Sequence, residues 1–68
     1  MKTKFSENLI KFRKARNWPQ AEVALRCNVS QQCVSEWEND KTEPTLSYLI
    51  KLAKIFEVSL DELAGTKN

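Results

Sequence analysis

Histidine is absent from this chain, and with it the commonest general base and the usual partner of a nucleophilic serine or cysteine. One glycine and two prolines among 68 residues leave too little turn chemistry for a fold of short strands. The two cysteines, Cys27 and Cys33, fall short of the roughly four ligands a structural zinc site requires. A disulfide between them would have to bridge a turn, and a cytosolic setting disfavours it. Cys27 reads as a small core residue and Cys33 as a partly exposed one; a redox role for the pair has no other support. No apolar run reaches the roughly 20 residues of a membrane-spanning helix. The N-terminal MKTKFSENLI lacks the apolar region of a signal peptide. These absences exclude an enzyme and leave no metal, no cofactor, no membrane and no small-molecule ligand to expect. A cytoplasmic helical protein is what remains.

What the chain does have is enough apolar content to fold: 41% apolar against 29% charged describes a globular protein rather than a disordered one. Its length suits one domain, residues 1–68, near the lower limit for folding without a metal or disulfide framework. Met1 and the compact ending after Gly65 suit a complete small protein.

The formal net charge of +2 is unevenly spread. Residues 1–16 hold Lys2, Lys4, Lys11, Arg13, Lys14 and Arg16 against Glu7, a balance of +5. Residues 17–44 hold Arg26 and Lys41 against Glu22, Glu36, Glu38, Asp40 and Glu43, a balance of −3. The remainder sums to zero. Attraction for phosphate therefore comes from the first helix, Lys41 and helix N-termini, while the acidic middle opposes it. Lys11, Lys14 and Arg16 read as a solvated face.

The pattern predicts five helices and no strand. Ser6 is placed to cap the first, which runs to about Arg16 with Leu9, Phe12 and Ala15 facing inward. Asn17 tolerates the left-handed conformation of a helix stop, and Pro19 suits the start of the second helix. That helix runs from about Gln20 to Cys27, with Val23, Ala24 and Cys27 inward, and stops at Asn28. The third follows Ser30 and ends near Glu38 or Asn39, with Val34 and Trp37 inward. After Asp40 and a polar loop, Lys41–Pro44, Thr45 caps the fourth, whose Leu49, Leu52, Ala53 and Phe56 recur at helical spacing. Val58 packs the corner, and Ser59 with Glu62 forms a capping box for a short last helix ending at Gly65. Trp18 and Tyr48 fit either the core or a partner surface, and Leu25 reads as a lone exposed apolar residue.

Residues 20–39, QAEVALRCNVSQQCVSEWEN, thus form two short helices joined by a tight turn, the pattern of a helix-turn-helix. With L-x-x-F-R before it and K-x-x-P and LAKIFEVSLDELAG after it, the chain resembles the Cro/repressor-type helix-turn-helix regulators from about Ser6 to Gly65. PQAEVA, SQQ and EN-x-KT are especially similar to lambdoid phage repressors that read DNA with consecutive glutamines.

The resemblance implies an all-α, five-helix bundle of the lambda-repressor type, with a recognition helix at about 30–38 lying in the major groove. It implies a sequence-specific regulator, a repressor before an activator, bound as a homodimer to a near-palindromic operator in double-stranded DNA. Gln31 and Gln32 correspond to base-reading positions; a glutamine amide pairs its donor and acceptor with adenine N7 and N6. Ser35 and Glu36 fall beside them at the base edges, while Gln20, Ser30, Asn39 and Lys41 fall at phosphate positions. Arg13 and Glu38 occupy the places of a buried ion pair joining the first and third helices.

Several residues depart from that family. Asn28 and Asp40 stand where glycine is common, and Pro19 replaces a Ser or Thr cap. Leu25 is apolar at a usually polar position. Glu36 is a carboxylate that repels phosphate yet can accept from a cytosine amino group. The acidic middle, Glu36 and Leu25 also suit a second reading, a helical protein-interaction module or antitoxin-like adaptor with weak DNA affinity.

Overall fold

Each helix ends where one residue turns left-handed or slackens the backbone, and those stops set the fold. A computed structural model describes residues 4–65. It contains α1 (Phe5–Ala15), α2 (Gln20–Cys27), α3 (Gln31–Glu38), α4 (Leu46–Phe56) and α5 (Leu60–Ala64), with no strand among the described residues. Helix α2 packs on α3 and α4, α1 on α3 and α5, and α4 on α5. Every helix contributes to the fully buried centre: Leu9, Val23 and Cys27, Val34, Leu52 and Leu63. The expected all-α, five-helix architecture is the one observed.

Asn17, Asn28, Asp40 and Glu57 all hold positive φ near 60°. After each, the next amide reaches back five residues: Trp18 to the Arg13 carbonyl, Val29 to Ala24, Lys41 to Glu36 and Val58 to Ala53, at 2.9–3.2 Å. These 6→1 bonds satisfy carbonyls that the helix leaves open at its end. Three of the four are Asn or Asp, which bear this conformation well. Glu57 was not anticipated, because a long acidic side chain carries no local signal for it.

A left-handed L-residue costs roughly 1–2 kcal/mol. The ion pair that Glu57 makes with Arg16 is long, 3.7 Å, with Glu57 79% exposed, so it contributes little. Glu57→Gly is therefore expected to raise stability by about 0.5–1 kcal/mol, the strain relief less the added freedom of the unfolded chain. A urea midpoint that stays put or falls would show Glu57 to be unstrained.

Two expectations for α1 fail. Ser6 is not its cap: the helix starts at Phe5, and Lys4 is the N-cap residue without a side-chain hydrogen bond. The Ser6 hydroxyl instead donates to the Trp37 carbonyl at 2.8 Å, tying α1 to the last turn of α3. Starting the helix two residues earlier places Phe5 on it, four positions before Leu9, and Phe5 is buried, edge-on to Trp37 at 6.4 Å. Ala15 is exposed, since the inward stripe Phe5, Leu9, Phe12 has rotated past it by the last turn. The start of α1 is closed against the far end of the chain. Asn8 donates to the Glu62 and Leu63 carbonyls, each at 3.1 Å, and a Cβ on Gly65 would meet Lys4 Cβ at 2.7 Å.

The remaining caps agree with their residues. Ser30, Thr45 and Ser59 accept from the amides of Cys33, Tyr48 and Glu62, and Ser59 with Glu62 completes a capping box. Trp18 and Tyr48 both pack against the core, Trp18 against Phe56 at 5.8 Å and Tyr48 against Trp37 at 5.6 Å.

Candidate nucleic-acid interface

Helix α3 divides along its length. Val34 and Trp37 face the core and Glu38 is buried with them, while Gln31 and Gln32 are exposed and Ser35 and Glu36 are half-buried. Asn39 and Lys41 follow, both exposed. Residues 30–32, 35, 36, 39 and 41 therefore share the outer side and the two ends of one short helix. The first turn of α3 contains no acidic residue, so the positive end of the helix dipole there is not neutralised.

The polar groups on this surface are partly committed already. Ser30 Oγ accepts the Cys33 amide at 3.1 Å, which leaves its hydroxyl proton to donate elsewhere. Gln32 Nε2 donates to Glu36 Oε2 at 3.4 Å across one helical turn. Asn39 Nδ2 donates to the Ser35 carbonyl at 2.9 Å and to Ser35 Oγ at 3.3 Å, fixing the residue that follows the helix. Gln31 and Lys41 reach solvent.

Behind this surface lies a polar network that sets the angle of α3. Arg13 Nε donates to Glu38 Oε2 at 2.6 Å and Nη2 to Oε1 at 3.1 Å, a bidentate pair whose side chains are only 14% and 5% exposed. The third guanidinium nitrogen, Nη1, donates to the Trp18 carbonyl at 2.9 Å. Gln20 Nε2 donates to Glu38 Oε1 at 2.9 Å. One carboxylate thus holds α1, the start of α2 and the end of α3 together. Gln20 lies at the N-terminus of α2, with one of its two amide hydrogens spent on Glu38 and the other available.

The two thiols are free, Cys27 buried and Cys33 half-exposed at the first turn of α3. Burial pushes Cys27 above its ordinary value of 9.0; Lys51, which donates to the Cys27 carbonyl at 3.3 Å, works against the shift, and Cys33 adds to it. Cys33 is also raised, first by burial and then by Glu36. A thiol that ionises later in the folded than in the unfolded state supports folding fully below the unfolded value. That support fades as pH climbs towards the folded one. Stability should therefore fall above about pH 9, less steeply in Cys27→Ala than in the parent once the loss from the smaller side chain is allowed for. Urea titrations at neutral and alkaline pH would show this, and equal slopes would contradict it.

The architecture has known counterparts. The helix-turn-helix family model matches residues 9–63. The chain belongs to the helix-turn-helix family.

Its relatives include the cryptic phage CTXphi transcriptional repressor RstR of Vibrio cholerae, 37% identical over 62 residues, which are 91% of this chain and 55% of that protein. The HTH-type transcriptional activator BcrR of Enterococcus faecalis is 36% identical over 59 residues, 87% of this chain and 29% of that one. The chain thus spans about half or less of these curated relatives. A transcriptional regulator from Listeria innocua superimposes with a TM-score of 0.92 at 31% identity, covering 100% of this chain and 64% of the other. The restriction-modification controller protein C.AhdI of Aeromonas hydrophila gives 0.81 at 25% identity, over 88% and 91%. These are folds of regulators, not of enzymes.

Two features near this family's motif had no sequence forecast. Arg26 lies 4.2 Å over the Trp18 ring and Arg16 lies 5.3 Å from it, so Trp18 is enclosed by Phe56 and two guanidiniums. The Glu22–Arg26 spacing of four residues was a usable signal for half of this, since that pair closes at 2.7 Å. The link from Gln20 to Glu38 had none, because it joins residues 18 positions apart. Among the described residues no helix is long and apolar enough to cross a membrane.

Proposed function

We propose that this protein is a sequence-specific transcriptional regulator, with residues 1–68 forming one DNA-binding domain, and that it acts as a repressor by covering its operator. The observation that carries this is the exposed amino end of α3, where Gln31 and Gln32 project beside a helix terminus free of acidic residues. An α-helix fits the major groove with its N-terminal residues at the base edges. Gln31 and Gln32 read bases in this arrangement, with Ser35 and Glu36 beside them. Gln20, Ser30, Asn39 and Lys41 hold phosphates on either side and fix the register.

A domain this small covers little DNA alone, so two copies bind a near-palindromic site with half-sites about one helical turn apart. The dimer contact is assigned to α5 and the loop before it, where Leu60 is 40% exposed. The names of the relatives support regulation of transcription, one a repressor and one an activator. Repression follows from occupancy and asks for no surface beyond the DNA-contacting one.

Selection of bound sequences from a random DNA library at near-physiological salt tests the proposal. An enriched two-fold palindrome, with adenines opposite the glutamines, is expected. Weak, salt-sensitive binding with no sequence enriched would favour the protein-interaction module, to which Leu25, 76% exposed, would then belong.

A further inference from the structure

The outer face of α3 has a hydrogen-bond polarity of its own. Gln32 Nε2 donates to Glu36 Oε2 at 3.4 Å. The opposite orientation of the amide would set its oxygen against a carboxylate, so charge decides which way Gln32 points. One Gln32 hydrogen is spent inward along the helix. The amide oxygen is turned away from Glu36, and Glu36 keeps lone pairs of its own for a neighbour. Positions 32 and 36 thus present two acceptors side by side, one of them charged, with one remaining Gln32 amide hydrogen beside them, where a nucleic-acid base would sit.

The base edges of the major groove answer the charged acceptor in only one way, with a donor. Adenine N6 and cytosine N4 are donors, whereas guanine O6 and N7 and thymine O4 are acceptors. We infer that Gln32 and Glu36 act as one specificity unit that requires the exocyclic amino group of adenine or cytosine at the contacted base, with Glu36 holding the Gln32 amide in its reading orientation. This rests on the proposed DNA-binding function. It differs from independent glutamine reading, because Gln32 alone can turn its amide to suit either kind of base edge. With Glu36 beside it, a guanine or thymine on the same strand finds only the one remaining Gln32 hydrogen and brings its acceptor oxygen up against a carboxylate.

The test compares library selection by the parent protein, Gln32→Ala and Glu36→Ala, each first checked for an unchanged thermal midpoint. Both variants are expected to lose preference at the same base pair and to keep it at the others. The parent and Glu36→Ala then bind synthetic sites in which the contacted adenine at that pair is replaced by purine, or the contacted cytosine by pyrimidin-2-one. Removing the amino group should weaken the parent by about tenfold or more and should change Glu36→Ala little. Loss of preference at two different base pairs, an unchanged preference in Glu36→Ala, or a parent indifferent to the amino group would each overturn the unit while leaving DNA reading intact. A parent that enriches no sequence would overturn the proposed function, and this inference with it.

Discussion

Replacing Glu38 with alanine is expected to cost about 3–5 kcal/mol of stability, the range for removing one partner of a buried ion pair. The Glu38 carboxylate takes three hydrogen bonds, two from Arg13 and one from Gln20, with its side chain only 5% exposed. Its loss leaves a mostly buried guanidinium facing no charge and the Gln20 amide without its acceptor. Whole domains are stable by about 5–15 kcal/mol, and small ones lie towards the lower end, so the variant should be close to unfolding. With roughly 4–8 °C of melting temperature for each kcal/mol in a domain of this size, the drop is easily read by circular dichroism. Arg13→Ala should do comparable damage. The double replacement Arg13→Met with Glu38→Leu should recover much of it, because an apolar pair of similar volume needs no charge compensation. A loss under about 1 kcal/mol in Glu38→Ala would mean that solvent already screens the pair.

The second large effect concerns DNA and leaves the fold alone. In the double variant Gln31→Ala, Gln32→Ala, affinity for the selected operator is expected to fall by about a hundredfold or more, since one good bidentate base contact is worth roughly 1–3 kcal/mol. Both side chains are exposed and neither is part of the core, so stability should change by no more than about 0.5 kcal/mol. Binding to unrelated DNA, which rests on phosphate charge, should keep its affinity and its dependence on salt. Fluorescence anisotropy on operator and scrambled duplexes separates the two terms. Equal losses on both would assign the glutamines to the backbone, and no loss on either would remove α3 from the DNA altogether.

The two predictions draw on different depths of the same helix. Glu38 faces inward and sets where α3 lies, whereas Gln31 and Gln32 face outward from its first turn. The Arg13–Glu38 pair therefore supports the glutamines by keeping the domain folded, and its loss should weaken DNA binding through unfolding. Binding measured on the folded fraction alone should be nearly unchanged in Glu38→Ala, which distinguishes a framework residue from a phosphate or base contact.

How much of this was legible depended on the distance along the chain over which each feature is encoded. The stops at Asn17, Asn28 and Asp40, the caps at Ser30, Thr45 and Ser59, and the inward stripes through Val23, Cys27, Val34 and Trp37 are all written within four or five residues. Hydrophobic spacing and capping chemistry act over that range, so five helices and the exposed outer side of α3 could be read in advance. Glu57 departs from this pattern: its left-handed φ of 58° is imposed by the corner from α4 to α5 and not by its own preference.

The sequence by itself determined which segments are helical, where all but α4 stop, and that Ser30, Gln31 and Gln32 stand at the open end of α3. Apart from the Arg13–Glu38 pair, which the resemblance implies, the tertiary structure alone decided the partners across the chain. Ser6 serves the Trp37 carbonyl, 31 residues away, in place of its own helix. Gln20 gives one amide hydrogen to Glu38, and Trp18 lies on Phe56 beneath Arg26. Local propensity has no term for such contacts: a side chain with several possible hydrogen-bond partners takes the one that packing brings within 3 Å or so, and only the assembled core determines which that is.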